Sequence, residues 1–121
     1  DAAKAIECAE GLAGRSGPLP AGVDYVRLAV GLHIGPVAIE VMGGSARAEV
    51  SAAGDTVNVA SRLEGLTRDL KVDVVASEAV IDAGRAGSVR EFHRWRECPP
   101  QALRGREGQI AVRTWSATEK P

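Results

Sequence analysis

Apolar residues recur at helical spacing in three segments of the chain. Residues 1–14, 55–70 and 77–84 each carry an apolar residue every three or four positions, which is the period of one helix face. Residue types suited to helix ends stand at their borders: Gly14, Asp55 and Ser77. The predicted buried positions are Ala2, Ile6, Ala9 and Leu12 or Ala13 in the first helix, and Val59, Leu63, Leu66 and Leu70 in the second.

Alternating or continuous apolar runs predict strands in the rest of the chain. In residues 23–35 the apolar positions share one face, and the opposite face is small around Gly31, so an element is expected to pack closely there. The other predicted strands are residues 36–43, 72–77, 88–98 and 109–117, with an exposed arm or hairpin at 44–50 and loops at 15–22 and 99–108. This order of elements predicts an α+β or mixed α/β domain.

Length and charge limit the classes of function. A chain of 121 residues predicts one domain, and its net charge of -1 gives no electrostatic case for binding nucleic acid or a membrane surface. No apolar run reaches the roughly 18–20 residues of a membrane span. Cys8 and Cys98 lack the spacing of a disulfide framework, which favours a reducing compartment and predicts a cytoplasmic protein.

Two polar residues lie one turn apart at the start of the second predicted helix. Asn58 and Arg62 project from the same face, away from the apolar stripe. The amide can hold a hydroxyl, and the guanidinium can neutralise a phosphoryl oxygen near the positive end of the helix dipole. The alternative interpretation is a solvated face on which Arg62 neighbours Glu64 or Asp69.

Four stretches together resemble the catalytic domain of class III adenylate/guanylate cyclases. In chain order they are LAVGLHIGPVAIEVMG, GDTVNVASRLEGL, VVASEAV and LRGREGQIAVRTW, and the second is the most specific. The resemblance implies an α+β, ferredoxin-like (βαββαβ) nucleotide cyclase fold. It also implies that residues 1–121 form a partial catalytic domain, its C-terminal part, without the first strand and the hairpin that follows it.

The resemblance implies a reaction and a set of site residues. The reaction converts ATP or GTP to the 3′,5′-cyclic nucleotide and pyrophosphate. Asn58 corresponds to the family's ribose-binding asparagine, and Arg62 to the arginine that stabilises the phosphoryl group under attack. Ser51 falls at the base-selecting position, while Arg104, or as second choice Arg106, corresponds to a basic residue that meets the triphosphate.

Some positions depart from the family's pattern. Serine at position 51, where aspartate or cysteine is usual, leaves ATP and GTP both open, and Glu40 stands where a small residue is common. The family's two metal-binding aspartates are expected upstream of residue 1, so the ligands of Mg²⁺ or Mn²⁺ are not expected in this chain. The fragment alone is therefore predicted to be inactive. The family also implies a head-to-tail homodimer, with residues 44–50 in the contact.

Two other hypotheses stay open from the sequence. One is a catalytically degenerate cyclase-homology domain that serves as a nucleotide-sensing or dimerisation module of a larger regulator. The other is an unrelated α/β module with an accidental motif match. His33 is interpreted as structural and His93 as a solvent-facing strand residue, and no His or Cys spacing indicates zinc.

Overall fold

The computed structural model describes residues 1–14, 28–42, 49–88, 92, 94–103 and 108–117, and of residues 40–42 and 49–53 it describes the backbone. Three helices and six strands lie in these ranges. The helices are α1 (Ala2–Ala13), α2 (Asp55–Leu70) and α3 (Glu78–Ala86). The strands are β1 (Val30–Leu32), β2 (Ala38–Met42), β3 (Glu49–Ala53), β4 (Val74–Ser77), β5 (Arg96–Ala102) and β6 (Gln109–Trp115). The predicted α+β class is confirmed.

The strands form two separate sheets. The larger sheet has the order β1-β4-β6-β5, in which β1 runs parallel to β4 and the other neighbours are antiparallel. The smaller sheet is an antiparallel hairpin of β2 and β3. Predicted strand 36–43 thus corresponds to β2, and the predicted arm at 44–50 leads into β3.

Strand β4 lies at the centre of the core, because both of its faces are covered. Val74 and Ala76 pack into a cluster with residues of α1 and α3, whereas Val75 packs with Val59 and Leu63 of α2. All four residues of β4 are buried. Its continuous apolar run is typical of a strand covered on two faces. The helices therefore form two layers, with α1 and α3 on one side of the sheet and α2 on the other.

Helix α2 spans the predicted residues, but its N-cap differs from the predicted one. The N-cap is Gly54 rather than Asp55, and Asp55 is the first residue of the helix. Gly54 has φ 121° and ψ 177°, a backbone conformation that is essentially restricted to glycine. The chain uses it to turn directly from β3 into α2, so a glycine takes the place of the side-chain cap that the sequence suggested.

Glycine 31 brings α2 into close contact with β1. A Cβ atom at this position would overlap the backbone of Ala60 and Glu64, so the helix backbone rests directly on the strand. The expectation that an element packs closely on the small face of residues 23–35 is confirmed. Because β1 is paired with β4 in the middle of the core, this contact fixes the height of α2 over the sheet.

Several predicted boundaries were wrong. Predicted strand 23–35 is reduced to Val30–Leu32 within the described residues, and residues 23–27 lie outside them. Within the described part of predicted strand 88–98 the strand begins at Arg96, and residues 89–91 and 93 lie outside that part. The strand continues through Pro99 and Pro100, which the sequence placed in a loop. An edge position explains this, since β5 pairs with β6 alone and proline is tolerated at an edge with an irregular register.

Buried positions within the helices follow the predicted spacing with small changes. Ala13 rather than Leu12 is buried in α1, and Leu12 remains 45% exposed. In α2, Val59 and Leu63 are fully buried, while Leu66 and Leu70 pack at the margin of the same cluster. Ser77 caps α3 as predicted, with its hydroxyl oxygen accepting from the Val80 backbone N–H.

Candidate active site

The exposed side of α2 carries the two polar residues that the sequence singled out. Asn58 and Arg62 are both exposed, and the buried residues Val59 and Leu63 lie on the other side of the helix. At 3.6 residues per turn, Gly65 and Asp69 fall in the same narrow sector of the helix surface as Asn58 and Arg62. These four positions define the polar face of α2, which runs along most of the helix.

Arg62 presents a cation that other described residues leave unneutralised. Within the described part of the chain its guanidinium makes no ion pair or hydrogen bond. The alternative of a solvated face on which Arg62 neighbours Glu64 or Asp69 therefore stays open. A guanidinium in this condition keeps all of its donors for a ligand. Planar paired donors suit the oxygens of a phosphoryl group.

Arg113 shows the contrasting arrangement of an arginine used for structure. Its Nε donates to the Glu78 carboxylate at 2.8 Å, and its terminal nitrogen donates to Glu97 at 3.0 Å. The hydrogen bond to Glu78 raises the pKa of Arg113 above its ordinary value, against the opposing effect of burial. Arg113 therefore joins α3 to the edge strand and stays charged, whereas Arg62 makes no such contact with other described residues.

An open depression lies beside Arg62, between α2 and the end of β5. Its volume is about 420 Å³, within the range of small-molecule sites. Arg62 and Asp69 line it from α2, and Leu103 closes it from the opposite side. The complete set of lining residues is Ser61, Arg62, Gly65, Leu66, Asp69, Ala102 and Leu103. In the sequence Leu103 is followed by Arg104, the residue assigned to the triphosphate, which lies outside the described residues.

The remaining predicted site residues are described only in part. Ser51 lies in β3 and is paired in register with Glu40 of β2, so the two departures from the family's pattern occupy one level of the hairpin. Arg104 and Arg106 lie outside the described residues, as does His93. The sequence missed the contribution of Gly65, Asp69 and Leu103. The helical period, continued from Asn58 through Arg62, points to the first two of these.

His33 has a structural contact, in line with its interpretation from the sequence. Its Nδ1 lies 2.8 Å from the hydroxyl oxygen of Ser77, which is buried and also caps α3. The hydrogen bond joins the end of β1 to the end of β4, two parallel strands that are neighbours in the sheet. His33 therefore stabilises the sheet that supports α2.

Comparison with protein families shows which family the chain belongs to. The family described as "Adenylate and Guanylate cyclase catalytic domain" matches residues 9–112, which include all of α2 and most of the described core. The chain belongs to this family. As a cyclase domain, it carries Asn58 and Arg62 within the matched region, on the exposed side of a helix whose other side is packed against the sheet.

Individual relatives of the cyclase domain point to the same family. Adenylate cyclase 1 of Rhizobium meliloti is 43% identical over 60 residues, and the adenylate cyclase of Anabaena cylindrica is 35% identical over 60 residues; each match covers 50% of this chain. These matches span 9% and 12% of the two relatives. A solved bacterial light-regulated adenylyl cyclase matches 69% of this chain and 22% of its own, at 26% identity and a TM-score of 0.52. The mixed sheet with helices is thus similar to an adenylyl cyclase.

The described residues offer no binding site for a divalent metal ion. Across the described ranges, no three His, Cys, Asp or Glu side chains are grouped so that they could hold one. No helix in the described part of the chain is long and apolar enough to cross a membrane. Cys8 and Cys98 are both free thiols.

Proposed function

We propose that the cyclase domain converts ATP to 3′,5′-cyclic AMP and pyrophosphate, with Asn58 and Arg62 as its catalytic residues. The observation that carries this proposal is the pair itself: an amide and a guanidinium that pairs with no other described residue, exposed one turn apart on α2 in a chain of the cyclase family. The choice of ATP rests on the relatives, which are adenylate cyclases. GTP is the alternative substrate.

The proposed chemistry assigns one step to each residue. The ribose 3′-hydroxyl gives up its proton to solvent, its oxygen forms a bond to the α-phosphorus, and the bond from that phosphorus to the bridging oxygen breaks, so that pyrophosphate leaves with the electron pair of the broken bond. Asn58 holds the ribose, which orients the 3′-oxygen for attack. Arg62 donates to the α-phosphoryl oxygens, where negative charge is redistributed in the transition state. When bound, Mg²⁺ or Mn²⁺ would help to activate the 3′-hydroxyl and to neutralise phosphate charge, and no described residue is assigned as a ligand of the metal.

Base selection is proposed for Ser51. A serine hydroxyl can donate or accept, so it can face the adenine amino group or the guanine carbonyl. We expect Ser51→Asp to raise the ratio of kcat/KM for ATP over GTP, because a carboxylate accepts from an amino group and repels a carbonyl. Steady-state kinetics with both nucleotides measures this ratio. Ser88→Asp, just beyond the end of α3, is the matched control, and equal ratios in wild type and Ser51→Asp would remove Ser51 from the base site.

We propose that two copies of the domain assemble head to tail, with the β2–β3 hairpin in the contact. Large apolar side chains around β2 support this, because Ile34, Val37 and Ile39 are 46%, 48% and 61% exposed. We expect Ile39→Asp to convert the dimer to a monomer and to lower activity with it. Sedimentation of the full-length protein measures the change. Leu12→Asp, at a 45% exposed position on α1, is the control; a dimer that survives Ile39→Asp places the contact elsewhere.

A nucleotide-sensing module is the second candidate function. It is favoured by the departures at Ser51 and Glu40, which occupy one level of the hairpin. A single experiment distinguishes the two functions: the full-length protein is supplied with ATP and Mg²⁺ or Mn²⁺. A cyclase forms cyclic AMP, whereas a sensing module binds ATP and returns it unchanged. The cyclase proposal includes two further expectations. Arg104, or alternatively Arg106, binds the triphosphate, and residues 1–121 on their own are inactive.

A further inference from the structure

Gly65 is a glycine that the described fold does not require. It lies inside α2, where glycine destabilises a helix relative to alanine. A Cβ atom at this position would meet no atom within 4 Å, so no described neighbour needs the space. The contrast with Gly31 is direct, because a Cβ at Gly31 would overlap the helix backbone. The absence of a side chain at position 65 therefore has no packing explanation in the described structure.

The empty space at Gly65 belongs to the depression beside Arg62. Both residues line that depression, and Gly65 follows Arg62 by three positions, or about 4.5 Å along the helix axis. Leu103 forms the opposite wall. A Cβ atom at position 65 would therefore face this space without contact to a described neighbour, and a longer side chain there would take up part of the depression.

The order of residues along α2 indicates which part of the nucleotide that occupant is. The inference rests on the proposed function, in which Asn58 holds the ribose and Arg62 the α-phosphoryl group. In phosphoryl transfer the leaving group departs roughly in line with the attacking oxygen, on the far side of the phosphorus. The far side from Asn58, past Arg62, is the level of Gly65. Asp69 follows one turn later, where its carboxylate repels phosphate and limits how far the group can extend.

We infer that Gly65 is part of the substrate-binding site of the cyclase domain: by lacking a side chain, it leaves room beside Arg62 for the pyrophosphate leaving group. Larger residues at this position should keep or improve the stability of the helix while they exclude pyrophosphate. If Gly65 had an ordinary packing role instead, a larger residue there would lower both the stability of the protein and its binding of pyrophosphate.

The test compares four variants of the full-length protein. Gly65→Ala and Gly65→Leu probe the depression, and Gly11→Ala and Gly11→Leu are matched controls, since Gly11 also lies in a helix with no atom within 4 Å of a built Cβ. The measurements are Tm, KM for ATP and inhibition by added pyrophosphate. We expect Tm to rise by a few degrees in both alanine variants. Of the four, only the two Gly65 variants should raise KM and the inhibition constant for pyrophosphate: Gly65→Leu by about ten- to a hundredfold and Gly65→Ala by less.

Each outcome decides the question. Unchanged KM and pyrophosphate inhibition in Gly65→Leu would overturn the inference and leave the cyclase proposal standing. A much larger loss of Tm in both Gly65 variants than in the Gly11 variants would also overturn it, because the protein itself would then fill the space. If wild type binds ATP and forms no product, the cyclase proposal fails. Direct binding of pyrophosphate to the same four variants then tests Gly65, with the same expected order.

Discussion

Replacing Arg62 with alanine is expected to lower kcat of the full-length protein about a hundred- to a thousandfold, while ATP binding changes far less. Loss of one donor that meets charge in the transition state typically costs about 2.7–4 kcal/mol. Arg62 is suited to this role because it is exposed and makes no ion pair within the described part of the chain. Steady-state kinetics gives kcat and KM separately, and calorimetry gives the affinity for ATP.

Arg68→Ala is the matched control for Arg62→Ala. Arg68 is also an exposed arginine of α2, and it lines a different depression with Lys71 and Ala29. We expect its removal to leave kcat close to that of wild type. A raised KM with unchanged kcat in Arg62→Ala would make Arg62 a residue of ground-state binding and contradict its proposed role.

Gly31→Ala is expected to lower the free energy of unfolding by about 1–3 kcal/mol, towards the upper end of that range. The added Cβ would overlap the backbone of Ala60 and Glu64, and backbone atoms cannot rotate away as the end of a side chain can. The substitution must push α2 off the sheet. Because Asn58 and Arg62 are carried by α2, activity should fall together with stability.

Two further alanine variants calibrate the effect of Gly31→Ala in urea unfolding. At Gly35 the nearest atom to a built Cβ is the Thr56 hydroxyl oxygen at 2.6 Å, and this side chain can rotate, so a smaller loss is expected. At Gly87 the nearest atom is 3.7 Å away and φ is -97°, so little change is expected. Equal stability in the three variants would show that α2 does not depend on contact with β1.

The sequence predicted best those elements whose apolar period is long or whose faces are both buried. Helix α2 was predicted over its observed span, and the run around Val75 correctly indicated a buried strand. Prediction from the sequence failed where the local preference of a residue competed with its tertiary context. Pro99 reads as a loop residue, yet an edge strand with an irregular register accommodates it. Asp55 has the chemistry of a cap, but the turn from β3 requires the conformation of Gly54.

The candidate site was predictable to the extent that it lies on one helix. Asn58 and Arg62 are four residues apart, and an α-helix places such residues on one face, so the sequence alone predicted that they lie together. The depression beside them depends on Leu103, which lies 41 positions beyond Arg62 in the sequence and reaches it only through the pairing of β5 with β6. No local pattern carries such a contact. The unneutralised state of Arg62 likewise depends on where its acidic neighbours point.

The central claim is that the α2 pair performs cyclisation, and formation of cyclic AMP by Asn58→Ala tests it most directly. The full-length protein is supplied with ATP and Mg²⁺ or Mn²⁺, and cyclic AMP is quantified against a no-protein control. Wild type is predicted to form cyclic AMP, and Asn58→Ala is predicted to form far less at saturating ATP, since the ribose is no longer oriented. No cyclic nucleotide from wild type with ATP or GTP, or an unchanged kcat in Asn58→Ala, would contradict the account.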